Sequence, residues 1–392
     1  MPKPKKPTAA KAAKSVDHDA FLTRLLVAFP KQVFLVGCYA DEDLELPADG
    51  VLRVFLPDFH WISRQCLERY TGGYHFTGNE PSNQPLFAAL LSILEEVRDS
   101  GAGFELFQLG DRFDLWREAQ KGEPDVLVAY DRVRSDPDVS GLATRLDGLR
   151  TQYIRGNHDA WLREVEAKRP LPIASRDEIV TAGGRIRIAH GHEFDNVEQH
   201  LSGTLKAEFV GLAPRIRPGT YDVGPFPTAS VEHIKGYLDL RNRANRPDLY
   251  PDVAPVGARL LGRVEDVDGL SEEGTTYLDV SIFSHGSGIR NDFEHIDYLK
   301  FEDKALRFEQ QHPDNHAVQV IGHTHHARIL VDRLPQNGKP HVLLDCGGWI
   351  EQCTVRDTSA GAAAVVPSAQ VGVQAGNDVR IYQLTSAPLS SG

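Results

Sequence analysis

A chain of 392 residues exceeds one ordinary domain, so either two domains or one core carrying a large insertion is expected. Its 41% hydrophobic and 25% charged residues give the composition of a soluble globular protein. The formal net charge of −12 argues against a general grip on duplex phosphates and against an anionic membrane surface. An acidic chain can still take a phosphate substrate where metal ions make the site locally positive. Cys38, Cys66, Cys346 and Cys353 are scattered with no C-x-x-C, which reads as reduced thiols in a cytoplasmic protein. Residues 1–15, basic and rich in Pro and Ala, read as a disordered tail and not a secretory signal, and no run approaches the length of a membrane span.

In chain order, Phe21, Leu22, Leu25, Leu26 and Phe29 lie on one helical stripe that Pro30 ends. A short apolar strand over 32–37 and an acidic turn near 41–43 follow. Residues 51–56 have the composition of a buried strand, with Pro57-Asp58-Phe59-His60 directly behind it. Leu86, Leu90, Leu94 and Val97 share a face of a helix over 85–100. A strand over 104–109 runs into Gly110-Asp111-Arg112-Phe113-Asp114. Helical stretches fill much of 115–150. Tyr153-Ile154-Arg155 leads into Gly156-Asn157-His158-Asp159, and a strand over 185–189 leads into His190-Gly191-His192. Residues 193–316 break this rhythm: rich in Arg, Asp, Gly and Pro, with helical patterns over 231–243 and 293–311, they read as an inserted cap or lid. A strand over 317–321 then meets Gly322-His323-Thr324-His325, and one over 340–344 closes on Asp345-Cys346-Gly347-Gly348-Trp349. Residues 358–376, rich in Ala, Ser, Gly and Val, read as a loose loop before a last strand over 378–383. Strands alternating with helices imply an α/β fold, with the polar clusters converging on one edge of a sheet. The catalytic domain is thus expected to comprise 16–192 and 317–392.

Those clusters offer Asp58, His60, Asp111, Asn157, His190, His323 and His325. Seven O and N donors are too many for one tetrahedral ion. They suit two ions about 3.5–4 Å apart if one carboxylate bridges. Asp111, after a glycine that permits a tight turn, is the natural bridge. One ion would take Asp58, His60, Asp111 and His325; the other Asp111, Asn157, His190 and His323. Mixed carboxylate, amide and imidazole ligands fit two divalent or trivalent ions drawn from manganese, iron and zinc. Such a pair supplies hydroxide from a bridging water at neutral pH and holds phosphoryl oxygens. His158 would point away from the ions, donating a proton to the leaving oxygen, with Asp114 fixing its tautomer. His192 is an alternative ligand to His190 or faces the substrate, and Asn157 and Arg112 are further candidates for substrate contact.

The ordered motifs Asp58-Phe59-His60, 110–114, 156–159, His190-Gly191-His192 and 322–325 resemble those of the calcineurin-like metallophosphoesterases. Asp345-Cys346-Gly347-Gly348-Trp349 is similar to that family's strand-end N-x-G-S-W, with Asp for Asn and Gly for Ser. The resemblance spans about residues 51–192 and 317–355. It implies a four-layer α/β/β/α sandwich, a di-metal centre and phosphoester hydrolysis, with His158 and Asp114 matching the catalytic pair. Gly110–Trp116 (GDRFDLW) is also similar to a segment of the UDP-2,3-diacylglucosamine pyrophosphohydrolases. Those enzymes usually carry Arg where this chain has His158 and Asp where it has His192.

Rival readings are a phosphoesterase-fold binding or scaffold module without chemistry, and a nuclease. For the nuclease, Arg215, Arg217, Arg241, Arg243 and Arg246 offer a local basic patch, but they read in preference as a solvated surface, and the balance of the chain is acidic. Ser284-His285-Gly286-Ser287-Gly288 reads as a lid turn in preference to a phosphate-contacting loop. A small phosphoester is the expected substrate; these motifs name neither the native metals nor an oligomeric state.

Overall fold

The computed structural model describes residues 18–30, 32–69, 84–118, 126–157, 159, 162–194, 305–306, 308, 316–324, 327–334, 337–349, 351–352 and 366–385. The expected tail, the 284–288 turn, the arginine patch, the helix over 231–243 and all of 193–316 except 193–194, 305–306, 308 and 316 lie outside them. His158 and His325 do too.

The chain folds as an α/β protein. Its elements run α1 (His18–Ala28), β1 (Val33–Ala40), β2 (Val51–Leu56), α2 (Arg64–Arg69), α3 (Gln84–Asp99), β3 (Gly103–Gln108), α4 (Leu115–Glu118), α5 (Val126–Ser135), α6 (Pro137–Gly148) and β4 (Gln152–Ile154). There follow α7 (Leu162–Lys168), β5 (Ser175–Arg176), β6 (Glu178–Thr181), β7 (Ile186–Ala189), β8 (Val318–Ile321), β9 (Arg328–Arg333), β10 (Pro340–Asp345), β11 (Glu351–Gln352), β12 (Val366–Ala375) and β13 (Asp378–Thr385). One sheet has the order β1-β13-β12-β2-β3-β4-β5, with β11 on β12; the other has the order β6-β7-β8-β10-β9. β2, β3, β4 and β5 run parallel, as do β7, β8 and β10.

Two-residue periodicity sorts each strand between two cores. In β2, Leu52, Val54 and Leu56 meet the helices, while Phe55 joins the cluster that faces the second sheet. α3 buries Leu86, Phe87, Leu90, Leu91, Ile93, Leu94 and Val97 in the helical core, each contributing roughly 1.5–3 kcal/mol on full burial. Between the sheets, Phe55, Phe107, Ile186, Ile188, Val318, Val320, Val342 and Leu344 pack together. On the far side of the second sheet Ile321 and Leu343 meet Phe194 and Ala305.

The stretch 358–376 requires a correction. Its residues 366–375 are not a loose loop but strand β12, paired on one side with β13 and on the other with β2. Small and polar residues have low strand propensity, yet here they are what fits. A side chain at Gly372 would collide with the Cys346 Sγ and Phe55. β9 and β6 also go beyond the strands read from sequence. Among the described residues no helix is long and apolar enough to cross a membrane.

Candidate metal centre

Every described residue of the expected ligand set stands just beyond the C-terminal end of a parallel strand, where open α/β sheets build sites. Asp58 follows β2, Asp111 follows β3, Asn157 follows β4, His190 follows β7 and His323 follows β8. The connecting loops are tied to one another by backbone. The N–H groups of Phe59 and His60 donate to the Asp111 carbonyl (3.1 and 2.8 Å), and that of Gly322 donates to the His190 carbonyl (3.0 Å). Across the two sheets, the His323 N–H donates to Asp58 Oδ2 at 3.0 Å.

The backbone is strained at the same place. His60 (φ 49°), Asp111 (φ 49°) and His323 (φ 67°) occupy the left-handed region that side-chain-bearing residues seldom enter. Such conformations concentrate at functional sites because the surrounding structure must hold them. Close approach is also arranged from the other side. A Cβ at Gly156 would occupy the space of the Asp111 carboxylate, and one at Gly322 that of the Asp58 carboxylate.

These loops create two buried groups that could each hold a metal ion: Asp58, His60 and Asp111, and Asp111, His190 and His323. Within each, the ligand atoms lie within 4.8 Å of one another, and Asp111 belongs to both. Hydrogen bonds orient the imidazoles. His60 Nδ1 donates to Asp114 Oδ1 (2.9 Å), leaving Nε2 toward Asp58 Oδ2 (4.0 Å) and Asp111 Oδ2 (3.9 Å). His190 Nδ1 donates to the Leu109 carbonyl (2.8 Å). Its Nε2 then faces Asn157 Oδ1 (2.9 Å), Asp111 Oδ2 (3.2 Å) and His323 Nδ1 (3.2 Å). A convergence of oxygen and nitrogen lone pairs of this kind fits a cation.

The electrostatics agree. Burial, with the Asp111 charge added, pushes the Asp58 carboxyl above the ordinary carboxylate range against the pull of His190 and His60. Burial pulls His190 down, yet the Asp111 and Asp58 charges and its hydrogen bonds outweigh that and raise it: the buried carboxylates call for positive charge, which a proton on His190 or a cation in its place can supply. Two carboxylates packed this closely repel one another, and a cation between them removes that cost. The donor set therefore fits metal.

The other sequence candidates are placed as follows. His192 is half-exposed, its side chain 40% accessible, where His190 is fully buried; its ring centre lies 5.4 Å from that of His190 and 6.3 Å from that of His323. Arg112 is buried, its guanidinium over the rings of Tyr153 (4.0 Å) and Phe113 (4.7 Å) and 3.4 Å from Asp147. Asp114, read as the partner of His158, has a described contact with His60.

Two aspartates of the motifs have tasks that their motifs did not reveal. Asp159 accepts from the N–H groups of Arg112 (3.1 Å), Phe113 (3.2 Å) and Gly156 (3.3 Å), locking the Asp111 loop to the Asn157 loop. Burial, with the Asp111 charge, pushes its carboxyl up against those amides. Asp345 holds the loop after His323. The position of each acid, closing a strand-end motif, was the available signal. Compared with known proteins, the chain matches no family model and no curated sequence.

Proposed function

We propose that this chain is a metal-dependent phosphoric ester hydrolase of the calcineurin-like type, cleaving a phosphomonoester, phosphodiester or pyrophosphate bond. The observation that carries the reading is the pair of buried ligand groups that share Asp111. In this reading the two sheets and their helices form a four-layer α/β/β/α sandwich, with 193–316 as an inserted cap. Asp58 and His60 would hold one ion, Asn157, His190 and His323 the other, and His325 completes the first group. When bound, such ions lower the pKa of water and offset the charge of a phosphoryl group. The chain does the rest. Asp114 keeps His60 in the tautomer whose Nε2 faces the carboxylates, and the Leu109 carbonyl does the same for His190. His158, next to Asn157 in sequence, gives the leaving oxygen its proton. Half-exposed His192 is the imidazole best placed to touch a substrate oxygen. Arg112 stiffens the Asp111 loop through its stack on Tyr153.

The test is metal content followed by turnover. Protein saturated with manganese, iron or zinc and then desalted is expected to retain about two ions per chain. It should hydrolyse members of a panel of phosphomonoesters, cyclic and linear diesters and nucleotide-sugar diphosphates, and Asp111→Asn should abolish both properties. Retention of well under one ion per chain would overturn the reading. Two ions with no hydrolysis of any ester would favour the binding module.

A further inference from the structure

Asp345, at the end of β10, belongs to neither ligand group, yet it is fully buried beside the loop that supplies His323. Its Oδ2 accepts from the Thr324 hydroxyl (2.6 Å) and from Arg328 Nε (3.2 Å), and its Oδ1 from the Gly347 N–H (3.3 Å). Thr324 adjoins His323. The turn at Gly347 leads to Gly348, bridged to Asp58, and to Trp349, whose N–H donates to the Asp58 carbonyl at 2.8 Å. One carboxylate thus grips two loops, one ending on His323 and the other on Asp58, ligands of different groups. Arg328, opposite Asp345 in the β10–β9 register, balances its charge.

We propose that Asp345 is a positioning residue that sets the spacing of His323 from Asp58 and hence allows two ions to bind side by side; this rests on the di-metal reading above. A carboxylate that merely stabilised the fold would matter to melting and not to the metal count. A residue that spaces ligands should matter to both, because partners behind metal ligands typically contribute about 10–100-fold in metal affinity.

The experiment compares the full chain with Asp345→Leu, Asp345→Asn, Thr324→Val, Thr324→Ser and Val342→Ala. The last is a core truncation on the same strand that removes no hydrogen bond. For each, Mn(II) stoichiometry and affinity are measured by titration, pairing of the ions by the coupled-pair signal in electron paramagnetic resonance, and the melting temperature without metal by circular dichroism. Asp345→Leu is expected to lose the coupled-pair signal and one of its two Mn(II). Thr324→Val should weaken one Mn(II) by about 10–100-fold, and Thr324→Ser should restore it. Asp345→Asn, which keeps an acceptor for Gly347 and a partner for Thr324, should fall between. Val342→Ala should melt earlier yet keep both ions.

If Asp345→Leu folds and still shows the wild-type pair, the proposal fails while the di-metal reading stands. Should Asp345→Leu not fold, Thr324→Val decides: unchanged affinity overturns the proposal. Loss of Mn(II) from Val342→Ala in step with its melting temperature would likewise overturn it. Failure of the wild-type chain to bind Mn(II) would remove the di-metal reading itself, and the proposal with it.

Discussion

At the scale of single residues, the proposed centre rests on Asp111 and on the imidazoles that hydrogen bonds orient. Asp111 carries a left-handed backbone, accepts two N–H groups from the Asp58 loop, and offers its carboxylate to both ligand groups. Asn in its place keeps the shape and removes the charge that the proposed pair of cations would need. His158 has a separate, testable share. If it protonates the leaving oxygen, His158→Ala should keep both metals and lose about 10²–10⁴-fold in turnover on alkyl esters, whose leaving groups need the proton. On p-nitrophenyl esters, which leave readily as the anion, the loss should be far smaller. Steady-state rates on the two ester classes check this, and equal losses on both would contradict the acid role.

At the scale of elements, β12 and α1 show how a segment is fixed by what it packs against. β12 lies between β13 and β2, and Gly372 leaves room there for the Cys346 side chain and Phe55. Gly372→Val should therefore destabilise the fold by roughly 1–3 kcal/mol, the usual range for overpacking, visible as a lower urea midpoint. An unchanged midpoint would mean that the two sheets separate at no cost. α1 is anchored by His18, whose Nε2 donates to the Asp378 carbonyl at 2.9 Å, with Asp378, Arg380 and Asp19 as its charged neighbours. Burial holds the His18 imidazole below its ordinary 6.5, against the opposing pull of Asp378. The unfolded chain therefore binds a proton that the folded chain resists once the pH drops below about 6.5. Stability should fall as the pH is lowered from 7 through that value, and level off below the folded pKa. Melting temperatures from pH 7 to 5 should slope less in His18→Gln than in the wild type; parallel slopes would remove His18 from the account.

At the scale of the whole molecule, the candidate centre lies where two sheets bring their C-terminal edges together, so a cation bound there should be felt by the entire fold. Asp58 comes from one sheet and His323 from the other, and they already share a hydrogen bond. A cation that binds only the folded state stabilises it by about 2.7 kcal/mol when present at a hundredfold excess over Kd. Thermal unfolding should thus move upward with Mn(II) and back with a chelator, and Asp111→Asn should abolish that movement. A wild-type melting temperature indifferent to both additions would speak against any ion joining the two edges.

The sequence by itself determined the α/β class, most strand positions and which side chains are the candidate donors. These are local properties: an apolar run ending in Asp, Asn or His can be read within a few residues. Asp58, Asp111, Asn157, His190 and His323 were legible for that reason. Only the tertiary structure decided that Asp114 holds His60, that Arg112 stacks on Tyr153, that Asp159 and Asp345 lock loops together, and that 366–375 is a strand inside a sheet. Each of those depends on partners distant in sequence. A hydrogen bond across two sheets, or a small residue chosen because a cysteine fills the space beside it, leaves no periodic trace along the chain.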